Sequence, residues 1–247
     1  MLSKLKYKNK YYHRHRNLTL SSAKKIIQLL PNTFNPKSVL DIGCGTGEWM
    51  SLFKTRYPAC NLVGIDGYWI KSDDLICKDI DLFNLDLSSD LTSKVFEKKY
   101  DLIICLETIT DLTEQQGENL IKKICKTSDI CLFSSGTPVQ THGPHKNRQW
   151  QSYWRSLFEK NGFKVLDVIR PVIWNDNDVG AWYRQNCFLF VEKSWLKNNP
   201  EWEDICSDQK LPLDIVHPKL LPPLIQNMKL KKWLKIFPKI IVNTFKK

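Results

Sequence analysis

Neither end of this 247-residue sequence carries an acidic side chain. Residues 1–16 hold six Lys or Arg and residues 217–247 hold eight Lys, with no Asp or Glu in either stretch. Taking both away from the net +11 leaves the segment between them at −3. A faintly acidic body argues against a basic groove for nucleic acid. Any anionic surface, a membrane or a polyanion, is then met by the ends, unless the tails serve only solubility. Also missing is a CxxC pair. The eight cysteines, Cys44, Cys60, Cys77, Cys105, Cys125, Cys131, Cys187 and Cys206, are scattered, and several sit in apolar runs such as DLIICL. That argues against zinc and fits small buried side chains in a reducing compartment. No paired-carboxylate and histidine set stands out, so no metal is expected. No apolar run is long enough to span a bilayer. The opening MLSKLKYKNKYYHRHR lacks the apolar core of a secretory signal. The expected location is cytoplasmic, with peripheral contact at a membrane's cytoplasmic face as a further option. There are no internal repeats.

What is present is an ordinary globular composition, 42% hydrophobic and 26% charged, enough to bury one sizeable core. Short β-rich apolar runs alternate with helical stretches, the pattern of a parallel α/β sheet. Strands are predicted near residues 38–42, 61–66, 81–87, 100–107, 128–135, 163–170 and 186–193. Between them, SSAKKIIQLL opens with two candidate Ser caps and ends at Pro31. TEQQGENLIKKICK has helical spacing. In NRQWQSYWRSLFEKNG, Trp150, Tyr153, Trp154, Leu157 and Phe158 share one helical face, and the helix stops at Gly162. The division is then a basic tail (1–16), a domain (17–195) and a terminal segment (196–247). That segment combines a proline-rich wrap, LPLDIVHPKLLPP, with a basic amphipathic helix. Leu230, Trp233, Leu234 and Phe237 line one helical face there, and Lys229, Lys231, Lys232 and Lys235 lie largely off it, which suits a membrane interface over residues 224–247. Packing of that face on the domain is the alternative.

The densest signal is SVLDIGCGTGEWM. A buried strand ends at Asp41, then Gly43, Gly45 and Gly47 precede a helix. Glycines let the chain turn sharply and bring backbone close to a ligand. The spacing is G-x-G-x-G, one residue short of the dinucleotide fingerprint, and Glu48 at the helix start is unwelcome beside a pyrophosphate. The stretch resembles the first motif of the class I S-adenosylmethionine-dependent methyltransferases, and the resemblance covers roughly residues 20–193. It implies a Rossmann-like, seven-stranded, mostly parallel sheet with helices on both faces and an antiparallel last strand. It implies S-adenosylmethionine as cofactor, held by Asp41, Gly43, Cys44, Gly45, Gly47 and Trp49. Next come Asp66 and Gly67 of LVGIDGYW, whose carboxylate can accept both ribose hydroxyls. Asp86 and Leu87 of LDLS follow on the adenine side, then Leu106 and Glu107 of YDLIICLETITDL. One departure stands out. Thr110-Asp111-Leu112 replaces the Glu-His or Glu-His-Leu of many relatives, so the usual histidine is missing.

Methyl transfer is mainly alignment, but a hydroxyl acceptor needs a base, and histidine suits that role. Of the five histidines, only His142 and His145 follow the fifth strand. Gln140 to Trp154, QTHGPHKNRQWQSYW, and Trp182 to Asn186, WYRQN, resemble paired signatures of a bacterial and viral methyltransferase subgroup. That subgroup is associated with surface-polysaccharide assembly. The candidate catalytic residues are His145, Glu107 and Gln149, with a structural bond or helix cap as the alternative for His145. The candidate acceptor wall is Gln140, His142, Asn147, Arg148, Trp150, Trp182, Tyr183, Arg184 and Gln185, a mix of hydrogen-bonding groups and flat apolar faces that suits a saccharide. The leading expectation is O-methylation of a sugar hydroxyl in a glycan or glycolipid precursor. The alternatives are an RNA or small-molecule methyltransferase, and a cofactor-binding pseudoenzyme that scaffolds a membrane complex.

Overall fold

A computed structural model of the chain describes residues 2–140, 145–204 and 211–221. Seven strands form one sheet: β1 (Ser38–Ile42), β2 (Asn61–Asp66), β3 (Ile80–Asn84), β4 (Leu102–Leu106), β5 (Ile130–Ser134), β6 (Phe163–Leu166) and β7 (Phe188–Glu192). Their order is β3-β2-β1-β4-β5-β7-β6. The first five are parallel neighbours, and β7 runs antiparallel to both β5 and β6. This is the Rossmann-like sheet expected from the sequence. The order reverses between β1 and β4, and in open sheets of this kind ligands bind at the carboxyl ends beside such a switch point.

The central strands bury both faces, so successive side chains feed two separate cores. Val39, Leu102, Ile104, Leu132 and Leu189 face helices α1 (Leu2–Gln28) and α2 (Glu48–Arg56). Leu40, Ile103, Cys105, Cys131, Phe133, Phe188 and Phe190 face α3 (Glu114–Thr127) and α4 (Gln151–Lys160). Thr113 caps α3 by accepting from the Gln116 backbone N–H, and the Gln116 side chain accepts from the Thr113 N–H in return, a capping box. The face it buries is Leu120, Ile121 and Ile124. On α4, Trp154, Leu157 and Phe158 are buried, as the helical spacing predicts, and Trp150 stands at its N-cap with its ring 39% exposed.

Three elements differ in extent from the sequence expectation. The helix expected from Ser21 begins at Leu2, within the stretch read as a basic tail. Strand β3 stops at Asn84, and β6 stops at Leu166, where Arg170–Ile173 turns into a short helix, α5. A second short helix, α6 (Ala181–Asn186), leads into β7.

Residues 211–215 of the proline-containing segment make contacts with the domain. Arg170, fully buried, donates to the carbonyls of Pro212 and Leu213 and pairs with Asp167. Further along, Asp214 accepts from Ser152 N and Ile215 O from Gln151 Nε2. The amphipathic segment 224–247, and with it the expected membrane contact, lies outside the described residues. Among those that are described, no helix is long and apolar enough to cross a membrane.

Phe158 stacks on Phe190 with ring centroids 3.9 Å apart. Phe158→Ala is expected to lower the unfolding free energy by about 3–5 kcal/mol, read as a shift of the urea midpoint. A loss below about 1 kcal/mol would show that the two rings do not carry this core.

Candidate active site

The site is built where β1, β2 and β4 end. Gly43 has φ 81°, and a Cβ there would fall 2.0 Å from Thr108 Oγ1. The Thr108 hydroxyl is shared between Ile42 O at 3.0 Å and Leu106 O at 3.2 Å, so the turn after β4 is locked against the turn after β1. Gly43 N and Cys44 N both donate to Ile65 O. One residue later, Gly45 N donates to Asp66 Oδ2 at 2.8 Å, and Gly67 N donates to Asp66 Oδ1 at 2.7 Å. The last residue of β2 therefore holds the glycine loop through one carboxylate oxygen and the start of its own following loop through the other.

Negative charge accumulates here. Asp41 is 3% exposed, and its Oδ2 has no hydrogen-bond partner. Burial, then the charges of Asp66 and Glu48, push its carboxyl well above the usual range. Glu48, also buried, accepts from the Thr46 hydroxyl and from Arg16 Nε at 3.2 Å. Arg16 reaches down from α1 and also touches Thr46 Oγ1.

Glu107 has φ 55°, the positive φ that the described residues show outside glycine. Its N–H donates to Ser134 O, and its carboxyl lies 3.5 Å from Asn186 Nδ2. The residue keeps some surface open, but its carboxyl is enclosed, and burial pushes the pKa up to about 7 against the pull of Ser134, Asn186 and His145.

An amide network supports the other side. Gln140 Oε1 accepts from Thr137 N, the Thr137 hydroxyl, Gln185 Nε2 and Asn186 Nδ2, the last at 3.0 Å. Gln185, wholly buried, also donates to Asn186 Oδ1 and accepts from His217 N.

A methyltransferase-domain family model matches residues 12–126. The structure of human N-acetylserotonin methyltransferase with S-adenosylmethionine superposes at a TM-score of 0.51 and 14% identity, over 76% of this chain and 55% of that one. An O-methyltransferase family protein from Burkholderia thailandensis superposes at 0.53 and 10% identity, over 75% and 59%. The fold is that of a methyltransferase. Among curated sequences, (S)-coclaurine N-methyltransferase of Papaver somniferum is 24% identical over 173 residues, 67% of this chain and 48% of the relative. The chain thus spans about half the length of that relative.

On this methyltransferase fold the residues at the glycine turn fit S-adenosylmethionine. The orphaned Asp41 oxygen and the enclosed carboxyls suit a cation that carries hydrogen-bond donors. Asp41, Gly43, Cys44, Gly45, Gly47, Asp66, Gly67 and Glu107 come together there. Leu106 borders them, half-buried. Trp49 is drawn away instead. It is 5% exposed in the core, its Nε1–H donates to Tyr183 OH at 3.3 Å, and it joins the glycine loop to α6 rather than lining the turn. Asp86 is exposed and folded onto Ser88, whose bonds, together with nearby Lys146, hold its carboxyl below the usual value. Leu87 packs toward the second core.

The expected acceptor wall divides. His145, Arg148, Gln149 and Trp150 keep exposed surface at the open edge. Trp182 is half-buried, against His15. Gln140 is half-buried as well, but four donors occupy its amide oxygen. Tyr183, Arg184 and Gln185 lie beneath the edge as supports, because the short helix α6 turns them into the core. Asn147 is 1% exposed, bound to Thr113 O under α3. His142 lies outside the described residues.

Sequence reasoning missed Arg16, Thr108 and the support role of Asn186. Only Asn186 had a signal, as the last residue of the WYRQN signature. Among the described residues no cluster of His, Cys, Asp and Glu could hold a metal.

Glu107 keeps its proton to about pH 7 when folded, against 4.5 for an ordinary glutamate. Its contribution to stability is therefore complete below about pH 4.5 and is lost as pH rises through about 7. Glu107→Gln, which cannot ionise, should gain stability relative to wild type across that window and hold a constant advantage above it. A difference that stays flat from pH 4 to 8 in denaturant titrations would contradict the burial of this carboxyl.

Proposed function

We propose that the chain is an S-adenosylmethionine-dependent O-methyltransferase whose acceptor is a sugar hydroxyl in a glycan or glycolipid precursor. The observation that carries the cofactor part is the set of four carboxylates, Asp41, Glu48, Asp66 and Glu107, around a glycine turn, with Asp41 Oδ2 unpartnered. The cofactor brings an electrophilic methyl on a sulfonium. Asp66, at the end of β2, would accept from its ribose hydroxyls, and Asp41 would take a donor on its open oxygen.

For the acceptor, His145 at the open edge removes the hydroxyl proton. Arg148 and Gln149 offer hydrogen bonds, and Trp150 and Trp182 offer flat faces for sugar C–H groups. A glycolipid precursor would also give the basic segment 224–247 a purpose at a membrane's cytoplasmic face. A second reading, methylation of a small-molecule amine, draws support from the N-methyltransferase named above and from Glu107. A carboxyl that titrates near pH 7 can take the proton of an ammonium group.

Calorimetry with S-adenosylmethionine tests the first part. Wild type should bind, and Asp66→Ala should bind at least about tenfold more weakly. Because a bound cation favours ionised Glu107, binding below about pH 7 must expel a proton, so affinity should fall as pH drops through that value and level off above it. No binding at any pH rejects the enzyme reading. For the acceptor, methyl transfer from radiolabelled cofactor to glycan extracts should drop about 10²-fold or more in His145→Ala, with cofactor affinity retained. Full turnover by that variant removes His145 as the base, and labelling of amines alone favours the second reading.

A further inference from the structure

We propose that Asp111 is the positioning residue for His145. It accepts the imidazole Nδ1–H and leaves Nε2 free to take the acceptor's proton. This rests on reading the site as that of a methyltransferase.

His145 Nδ1 lies 3.1 Å from Asp111 Oδ1. The contact joins two loops far apart in sequence, one after β4 and one after β5. It does not stand alone. Lys146 N and Asn147 N both donate to Thr110 O, at 2.8 and 3.1 Å. The Asn147 side chain is buried against Thr113 O and directly over Gly117, where a Cβ would meet its Nδ2 at 2.7 Å. The residues just after His145 are therefore stapled to the turn Ile109–Asp111, and the ring has little freedom to drift from Asp111.

That turn is itself held from the cofactor side. Asp111 N donates to Thr108 O, the Thr110 hydroxyl donates to Glu107 O, and Thr108 is the residue locked against Gly43. A continuous run of contacts thus leads from the glycine loop through Thr108 and Asp111 to His145. The charged groups that face the imidazole are Asp111 and Glu107, whose carboxyl feels its charge.

Stability does not explain the pair. The two side chains are 33% and 55% exposed, and exposed ion pairs contribute little to folding. What such a contact does supply is a fixed tautomer. A histidine whose Nδ1–H is held by a carboxylate presents its other nitrogen as the acceptor. The structure brings a histidine from the loop after β5 against an aspartate in the turn after β4.

Nitrogen-15 NMR of the full-length protein, with His145 assigned by the signal lost in His145→Ala, reads the tautomer directly and needs no acceptor. Wild type should carry its neutral proton on Nδ1. Asp111→Asn should shift the population toward Nε2–H, and Asp111→Glu should restore it. In the glycan methylation assay Asp111→Asn should lower kcat about 10- to 100-fold with KM nearly unchanged, and Asp111→Glu should recover a good part. Identical tautomer populations in wild type and Asp111→Asn overturn the proposal, as does a tautomer shift that leaves kcat untouched. If wild type methylates nothing, the functional reading fails instead, and the tautomer measurement still decides the pair.

Discussion

Carboxyl groups enclosed without equal positive partners are expensive to ionise, and this fold gathers several at one place. Asp41, Glu48, Asp66 and Glu107 converge where β1, β2 and β4 end. Arg16 is paired with Glu48, and backbone N–H groups of the glycine loop serve Asp66. The rest of the group is held in by the sheet. Strands buried on both faces cannot move their ends apart without opening two cores at once. The rigidity of the apolar layers is what lets the polar end keep an arrangement that, taken alone, would fly apart or draw in water.

A second consequence concerns how the two sides of the site are joined. Thr108 fits against Gly43 so closely that any side chain there would collide. The turn after β4 thus cannot shift independently of the turn after β1. The loop after β5 is fastened to that same turn by Lys146, Asn147 and His145. The glycine loop and the loop after β5 share one mechanical element, Glu107–Asp111, with its left-handed residue at the start.

The sheet was legible because a doubly buried strand can only be apolar along its whole length. DLIICL and DICLF have no other comfortable fate. The glycine turn was legible because G-x-G-x-G after such a strand has few structural uses. The first half of helix α1 was not, because it is basic and lacks the apolar stripe that marks a packed helix. The amide network was hidden for a different reason. A glutamine reads the same whether it faces a ligand, water or another amide. Gln185 looked like wall and is a foundation beside Asn186, and Arg184 and Tyr183 follow it into the core with α6. Arg16 was hidden inside a run of basic residues, where nothing marks the one side chain that meets a buried carboxylate. Asp111 was visible as an oddity, but its meaning required the partner.

Gln140 and His145 bound a stretch of four residues, and both borders are fixed independently of it. Gln140 is tied into the amide network, and the residues after His145 are tied to the turn after β4. The sheet, the glycine turn and the histidine are therefore held by contacts that lie outside the four residues between these posts.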